Sequence, residues 1–306
     1  MRLGLGDLLA AGARGVSRYT GTLFSVFLAQ SLLAGACMLG IAFVLAQAFS
    51  HLPMFDDAVD GDLVALIWCL RHARPSFLAV GGVIFSTLLL WQLMSWFLVG
   101  GIYGVFGERP DNRVDTARVF GASGAATFLA YARLAFCALP GWVFVLAVFT
   151  ATLSAMEPRL QYALSVGDVV VPLAVILVPS CLVLLFFWTV SDYARVELTL
   201  RYATHRPSAV VTYFRALVFV FKRPLTLVHG AIGWLLFLLV TLAYAFIAHG
   251  HPMYGAEGAI TLFFVRQGVA LLRMAIRFSV LAGQIELGRT RPLPTARPES
   301  AKPTAE

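Results

Sequence analysis

Charge is what this sequence has least of: Asp, Glu, Lys and Arg together make up 13% of its 306 residues, where a soluble domain carries about a quarter. So small a supply cannot cover a water-facing surface, which excludes an ordinary soluble globular protein. Cysteine is scarce too. Cys37, Cys69, Cys137 and Cys181 are scattered through apolar segments with no CxxC spacing, a pattern of small buried hydrophobes rather than of metal ligands or a disulfide framework. Also missing are a Walker sequence, a zinc-protease HExxH and the aspartate-rich signature of phospholipid-synthesising phosphotransferases.

What the chain has instead is apolar residues, 59% of the total, gathered into runs long enough to cross a hydrocarbon layer of about 30 Å. Six spans are predicted, at residues 22–49, 76–106, 124–154, 168–198, 225–248 and 258–285. The Ala46-Gln47-Ala48 triplet mimics a signal-peptidase site, but the first span is far longer than the apolar core of a secretory signal, so it is read as retained. The fold class expected is all-α, a polytopic membrane bundle of about six transmembrane helices with amphipathic interfacial helices. A cytoplasmic arm (1–21), a membrane domain (22–288) and a charged, proline-rich and therefore disordered tail (289–306) follow from the same pattern.

Basic residues cluster on one side of these spans. Arg2, Arg14 and Arg18 precede the first, Arg109, Arg113 and Arg118 follow the second, and Arg195, Arg201, Arg206, Arg215, Lys222 and Arg223 follow or close the fourth. The tail adds Arg289, Arg291, Arg297 and Lys302, while the opposite loops hold Arg71, Arg74 and Arg159. Short cytoplasmic loops are enriched in Lys and Arg, so both termini are expected in the cytoplasm. The net charge of +7 then lies largely on one membrane face. Anionic headgroups are the partner it implies; no nucleic-acid module surrounds it.

Three segments are too short or too polar to span. In "LGDLLAAGARGVSRY", Leu5, Leu8, Leu9, Gly12 and Val16 share a face, predicting a helix on the cytoplasmic surface that its glycines weaken. "LVALIWCLRHARP" reads as an extracytoplasmic or re-entrant helix capped by Asp62 and anchored by Trp68. After Pro207, "SAVVTYFRALVFVFKRP" starts at Ser208 and places Val210, Val211, Phe214, Leu217, Val218 and Phe221 on one stripe, with Thr212, Arg215 and Lys222 facing away. The fourth span, from a capping Asp168 to about Tyr202, exceeds the bilayer, so its end should project into the cytoplasm or tilt along the interface. Arg109-Pro110 and Arg206-Pro207, each followed by an amphipathic piece and a span, suggest a duplicated two-span unit. Kinks are expected at Pro140, Pro172 and Pro179.

The sixth span carries the candidate site. Arg266, Arg273, Arg277 and Gln284 are spaced by 7, 4 and 7 residues, which brings all four close to one line on a helix. Some twelve Leu, Ile, Phe and Val side chains there favour insertion by about 4–7 kcal/mol in total, and two or three arginines near mid-membrane oppose it by about 2.5–3.5 kcal/mol each. The span therefore needs partners for its arginines. Asp192 and Glu197 on the fourth span are the acids at plausible depth, although Arg195 and Arg201 compete for them locally. Either the arginines tie helices together, or they receive an anion or lipid headgroup, with Arg273 the deepest.

Two further constellations carry potential chemistry. His51, His72, His249 and His251, beside Asp56, Asp57, Asp60, Asp62 and Glu257, are spaced too loosely to define a zinc site, so neither a metal nor a cofactor is expected. "GASGA" (121–125) resembles the GxSG serine motif of rhomboid intramembrane proteases, and "VHGAIG" with His229 resembles their histidine region; a Ser123–His229 dyad would be the minimum for acyl transfer. Both residues, however, fall at cytoplasmic helix starts, too far apart in sequence for that family and without its HxxxN segment. A small-residue opening of the third span is the reading adopted.

"GGIYGVFGER", "DYARVELTL" and "VRQGVALLRMAIRF" together resemble a group of uncharacterised bacterial six-helix membrane proteins, and more loosely the membrane domain attached to some glycerophosphodiester phosphodiesterases. The resemblance implies the fold and a bacterial inner membrane and carries over no functional residues. The function expected is a non-catalytic permease-like or lipid-interacting membrane component. The alternatives are a membrane subunit of an ABC-type exporter, docking an ATPase through segment 201–223, and an intramembrane serine hydrolase.

Overall fold

In the computed structural model, which describes residues 4–49, 57, 62–72, 74–162, 165–205, 207–250 and 255–290, all the regular structure is helical. The described helices are α1 (Leu5–Arg18), α2 (Thr20–Phe49), α3 (Leu63–His72), α4 (Arg74–Glu108), α5 (Arg113–Gln161), α6 (Val166–His205), α7 (Ala209–Lys222), α8 (Pro224–Gly250) and α9 (Gly255–Thr290). Six of them, α2, α4, α5, α6, α8 and α9, are long and apolar enough to cross a membrane, and the chain fits a multi-pass integral membrane protein. Arg2, Arg206, His51, Asp56, Asp60, His251 and residues 291–306 lie outside the described residues, so the expectations placed on them are untouched.

Helix starts follow local chemistry. Asn112 opens α5, its side chain accepting from the Asp115 amide at 2.7 Å. Asp62 opens α3 in the same way, accepting from the Val64 amide at 2.8 Å. At α6 the expected cap moves back three residues: Ser165 Oγ accepts from the Asp168 amide at 3.2 Å, while Asp168 accepts from the Ser165 amide at 2.9 Å, a reciprocal capping box. Ser208 precedes α7 without a side-chain cap bond; its carbonyl takes the Thr212 amide and hydroxyl instead.

Two expectations about elements change. The polar piece after Arg109-Pro110 is not separate from the third span. Both belong to the single 49-residue α5, with Pro140 and Pro158 inside it, because nothing between Arg113 and Thr127 interrupts helix formation. After α6 the corresponding piece stays separate: Arg223 (φ −133°, ψ 86°) ends α7 and Pro224 starts α8, where a missing amide hydrogen costs nothing. The proposed echo between the halves is therefore not repeated in the elements.

The chain divides into two compact units. One, Phe24–Leu98, contains most of α2, all of α3 and the first part of α4. Its large apolar residues, such as Leu39, Phe43, Leu78 and Phe85, are mostly exposed, as a lipid-facing surface must be.

The other unit, Met1–Leu23 with Val99–Glu306, holds the core that matters for the site. The end of α4 contributes Tyr103 and Phe106, α5 Tyr131 and Leu134, α6 Tyr193 and Leu198, α7 Phe219 and Val220, and α9 Phe278, Leu281 and Ile285, all buried. Within the part of α6 expected to leave the bilayer, residues 191–198 are mostly buried by protein. Glycines set the close approaches. A Cβ on Gly100, Gly101 or Gly104 of α4 would overlap Thr127, Phe120 or Ser123 of α5, and one on Gly12 of α1 would overlap Ser279 of α9. The glycines that weaken α1 as an isolated helix are what let it dock on α9.

Candidate functional site

The least apolar of the six candidate spans is the one most enclosed by protein: about a third of its apolar window is buried, against 6% for α8. The reason is visible residue by residue along its polar stripe. Arg277 reaches α6, where its Nη2 lies 2.8 and 2.9 Å from the two carboxylate oxygens of Asp192. Gln284, two turns on, donates to Asp192 at 3.2 Å and accepts from the Tyr103 hydroxyl of α4 at 2.9 Å. Arg195 adds a fourth, longer bond to the same carboxylate at 3.3 Å.

Asp192 is 1% exposed. A buried carboxylate is tolerated when opposite charge and donors surround it, and these four bonds supply both. Asp192 thus joins α6 to α9, and Gln284 extends the network to Tyr103 of α4. The guanidinium of Arg277 also lies 5.4 Å from the centre of the Trp188 ring, a cation–π position. Trp188 is held edge-on between Trp234 of α8 (5.6 Å) and Trp142 of α5 (6.1 Å). Tyr131 of α5 fixes the Arg195 backbone, donating to its carbonyl at 3.2 Å and meeting the Thr199 hydroxyl at 2.5 Å.

The other members of the stripe turn to α8. Arg273 donates to the Thr241 hydroxyl at 2.6 Å and lies 4.8 Å from the Phe237 ring centre; its Nε is buried with no hydrogen-bond partner among the described residues. Arg266 donates to the Tyr244 hydroxyl at 2.6 Å. Glu197 does not join the cluster: it pairs with Arg201, one turn along α6, at 2.6 Å. The six residues singled out from the sequence therefore fall into three groups: Asp192 with Arg277 and Gln284, Arg266 and Arg273 with hydroxyls of α8, and Glu197 with its helical neighbour.

Chemically, the central group is a carboxylate neutralised by two guanidiniums and supported by an amide and a phenol. It contains no serine, threonine or cysteine side chain. Ser123 donates to the Gly100 carbonyl at 3.0 Å, whereas the His229 ring lies over Gly283 beside the Leu8 carbonyl, its Nδ1 buried without a partner. The two form no dyad among the described residues. His72 Nδ1 donates to the Trp68 carbonyl (2.9 Å), and its ring stacks on that residue's indole.

The sequence reading missed Tyr103, Trp188, Thr241 and Tyr244. A hydroxyl or indole on an apolar span carries no pattern that says which helix it will meet. The signal nearest to Tyr103 was its glycine setting, "GGIYG", which marks a close helix approach. Comparison with family models, curated proteins and solved structures gives no match to this chain.

Proposed function

We propose that the chain is a multi-pass protein of the bacterial cytoplasmic (inner) membrane, with both termini cytoplasmic, acting as a non-catalytic, lipid-interacting component. The observation that carries this reading is α7, a helix apolar on two sides. Ala209, Thr212, Tyr213, Ala216, Phe219 and Val220 are buried against the protein, while Val210 (51%), Phe214 (63%) and Phe221 (79%) remain exposed. An exposed apolar face flanked by Arg215, Lys222 and Arg223 suits the boundary between acyl chains and anionic headgroups.

A permease-like role draws less support, because the polar stripe of α9 is already engaged within the protein, Arg277 and Gln284 by Asp192 and Arg273 and Arg266 by hydroxyls of α8. In this reading the arginine face of α9 is a clasp that keeps a marginally apolar helix in the bundle, and the lipid interactions lie at the basic end. The orientation rests on the positions of the basic residues.

The test uses proteoliposomes of a cysteine-free background carrying a bimane label at Phe214→Cys or, as a buried control, at Ala216→Cys. Lipids brominated near the headgroup are expected to quench the first label and spare the second. If Phe214→Cys is not quenched by lipid in the isolated protein, the reading fails. Shielding of the label by a co-purifying nucleotide-binding subunit would transfer the face to the exporter-subunit alternative.

A further inference from the structure

Where α1 and α4 end beside α9, the protein forms an open cavity of about 350 Å³. Its walls differ in character. Phe106, Ala282 and Ile285 line one part, and Arg14, Arg18 and Arg109 another, with Glu286 the acid among the lining residues. α4 closes here in an unusual way: Arg109 has a positive φ of 58°, the left-handed position that most helices give to glycine, and its amide donates to the Val105 carbonyl at 3.0 Å. That turn sends the chain into Pro110.

Two of the three arginines have structural duties. Arg18 pairs with Asp111 at 2.6 Å and lies 3.4 Å from the Arg109 carbonyl, and Arg109 pairs with Glu286. The Tyr19 hydroxyl donates to the Pro110 carbonyl at 3.3 Å. Burial raises the Tyr19 phenol above its ordinary value, opposed by Arg18, Arg109 and Arg289, so it stays protonated and a donor at neutral pH. Arg14 is different. It is exposed on the cavity wall, and its guanidinium has no ion-pair or hydrogen-bond partner among the described residues. A cation without a partner, beside two partnered ones and above an apolar floor, matches an amphiphile with an anionic head.

We infer that this cavity is a binding site for a phosphate-bearing headgroup, with Arg14 as its uncommitted cation and Phe106 and Ile285 receiving the apolar part of the ligand. The site is separate from the Asp192 cluster, on another face of α9, and rests on the lipid-interacting reading, to which it gives a location. Two sources share this chemistry, an anionic phospholipid and free inorganic phosphate. Arg14 is the residue to vary, because its replacement breaks no bond within the fold.

The experiment measures binding of the full chain, in neutral detergent, to mixed micelles containing phosphatidylglycerol or phosphatidylcholine, and separately to inorganic phosphate. Wild type, Arg14→Gln and Arg159→Gln (near the end of α5, away from both basic faces) are compared. Wild type is expected to prefer phosphatidylglycerol, Arg14→Gln to weaken that binding by about fivefold, as one basic side chain contributes at an anionic surface, and Arg159→Gln to leave it unchanged. An Arg14→Gln protein that binds like wild type, while the anionic preference persists, overturns the site and spares the lipid reading. Saturable, Arg14-dependent binding of inorganic phosphate without any lipid preference keeps the site and ends the lipid reading. No preference and no phosphate binding removes both.

Discussion

Arg277 and Arg273 lie one helical turn apart on α9, yet the structure gives them unequal work. Arg277 answers a buried carboxylate; Arg273 meets a hydroxyl and a ring face and keeps a buried nitrogen without a partner. Replacing each by methionine separates the two roles. Arg277→Met leaves Asp192 with only the longer bond to Arg195 and the Gln284 amide, and should destabilise the protein by about 3 kcal/mol, the usual result of stripping one partner from a buried pair. Arg273→Met removes a charge with little to lose. The Thr241 hydroxyl keeps its 2.7 Å bond to the Phe237 carbonyl, and stability should change by less than about 1 kcal/mol. Thermal unfolding in detergent checks both, and an equal loss from the two would contradict the division. From sequence, Arg273 was the residue of interest because depth along the helix was all that spacing could measure. Which arginine meets the acid depends on the rotation of α6 against α9, and that is not written in either helix alone.

At the scale of elements, spacing read some faces correctly and others only in part. On α7 the stripe Val210, Val211, Phe214, Leu217, Val218 and Phe221 is exposed apart from the half-buried Leu217, as an interfacial helix requires, but the side expected to be polar contains the buried Thr212. A helix apolar on two sides has no single face for periodicity to assign; small residues such as Ala209 and Ala216 mark the packed side because they permit close approach. On α1 the glycines served the same purpose. A Cβ on Gly12 would overlap Ser279, whereas one on Gly6 would meet nothing. Gly12→Leu should therefore release α1 from α9, seen as faster hydrogen exchange across residues 5–18. Gly6→Ala should leave exchange unchanged or slow it slightly, since alanine favours the helix by about 0.5–1 kcal/mol over glycine. Similar exchange in both variants would mean that α1 is not held by this contact.

For the molecule as a whole, the membrane class and the six spans were legible because length and hydropathy are properties of single segments. The burial of α6 around Asp192 was not, because it depends on neighbours far away in sequence, as Tyr103 and Gln284 are. Protein-to-protein burial in the unit containing α5 to α9 gathers at the end where the basic residues also gather. The central claim is that the Arg277–Asp192 pair is neutralised inside the protein and holds α9 to α6, while the proposed lipid recognition belongs to that basic end. The most direct test is a double-mutant cycle of Asp192→Asn and Arg277→Gln, measured by unfolding in lipid nanodiscs. Internal pairing requires the double variant to be more stable than the sum of the single losses allows, by about 1–3 kcal/mol. Single losses that simply add would mean that Arg277 and Asp192 act independently, and the clasp would have to be given up.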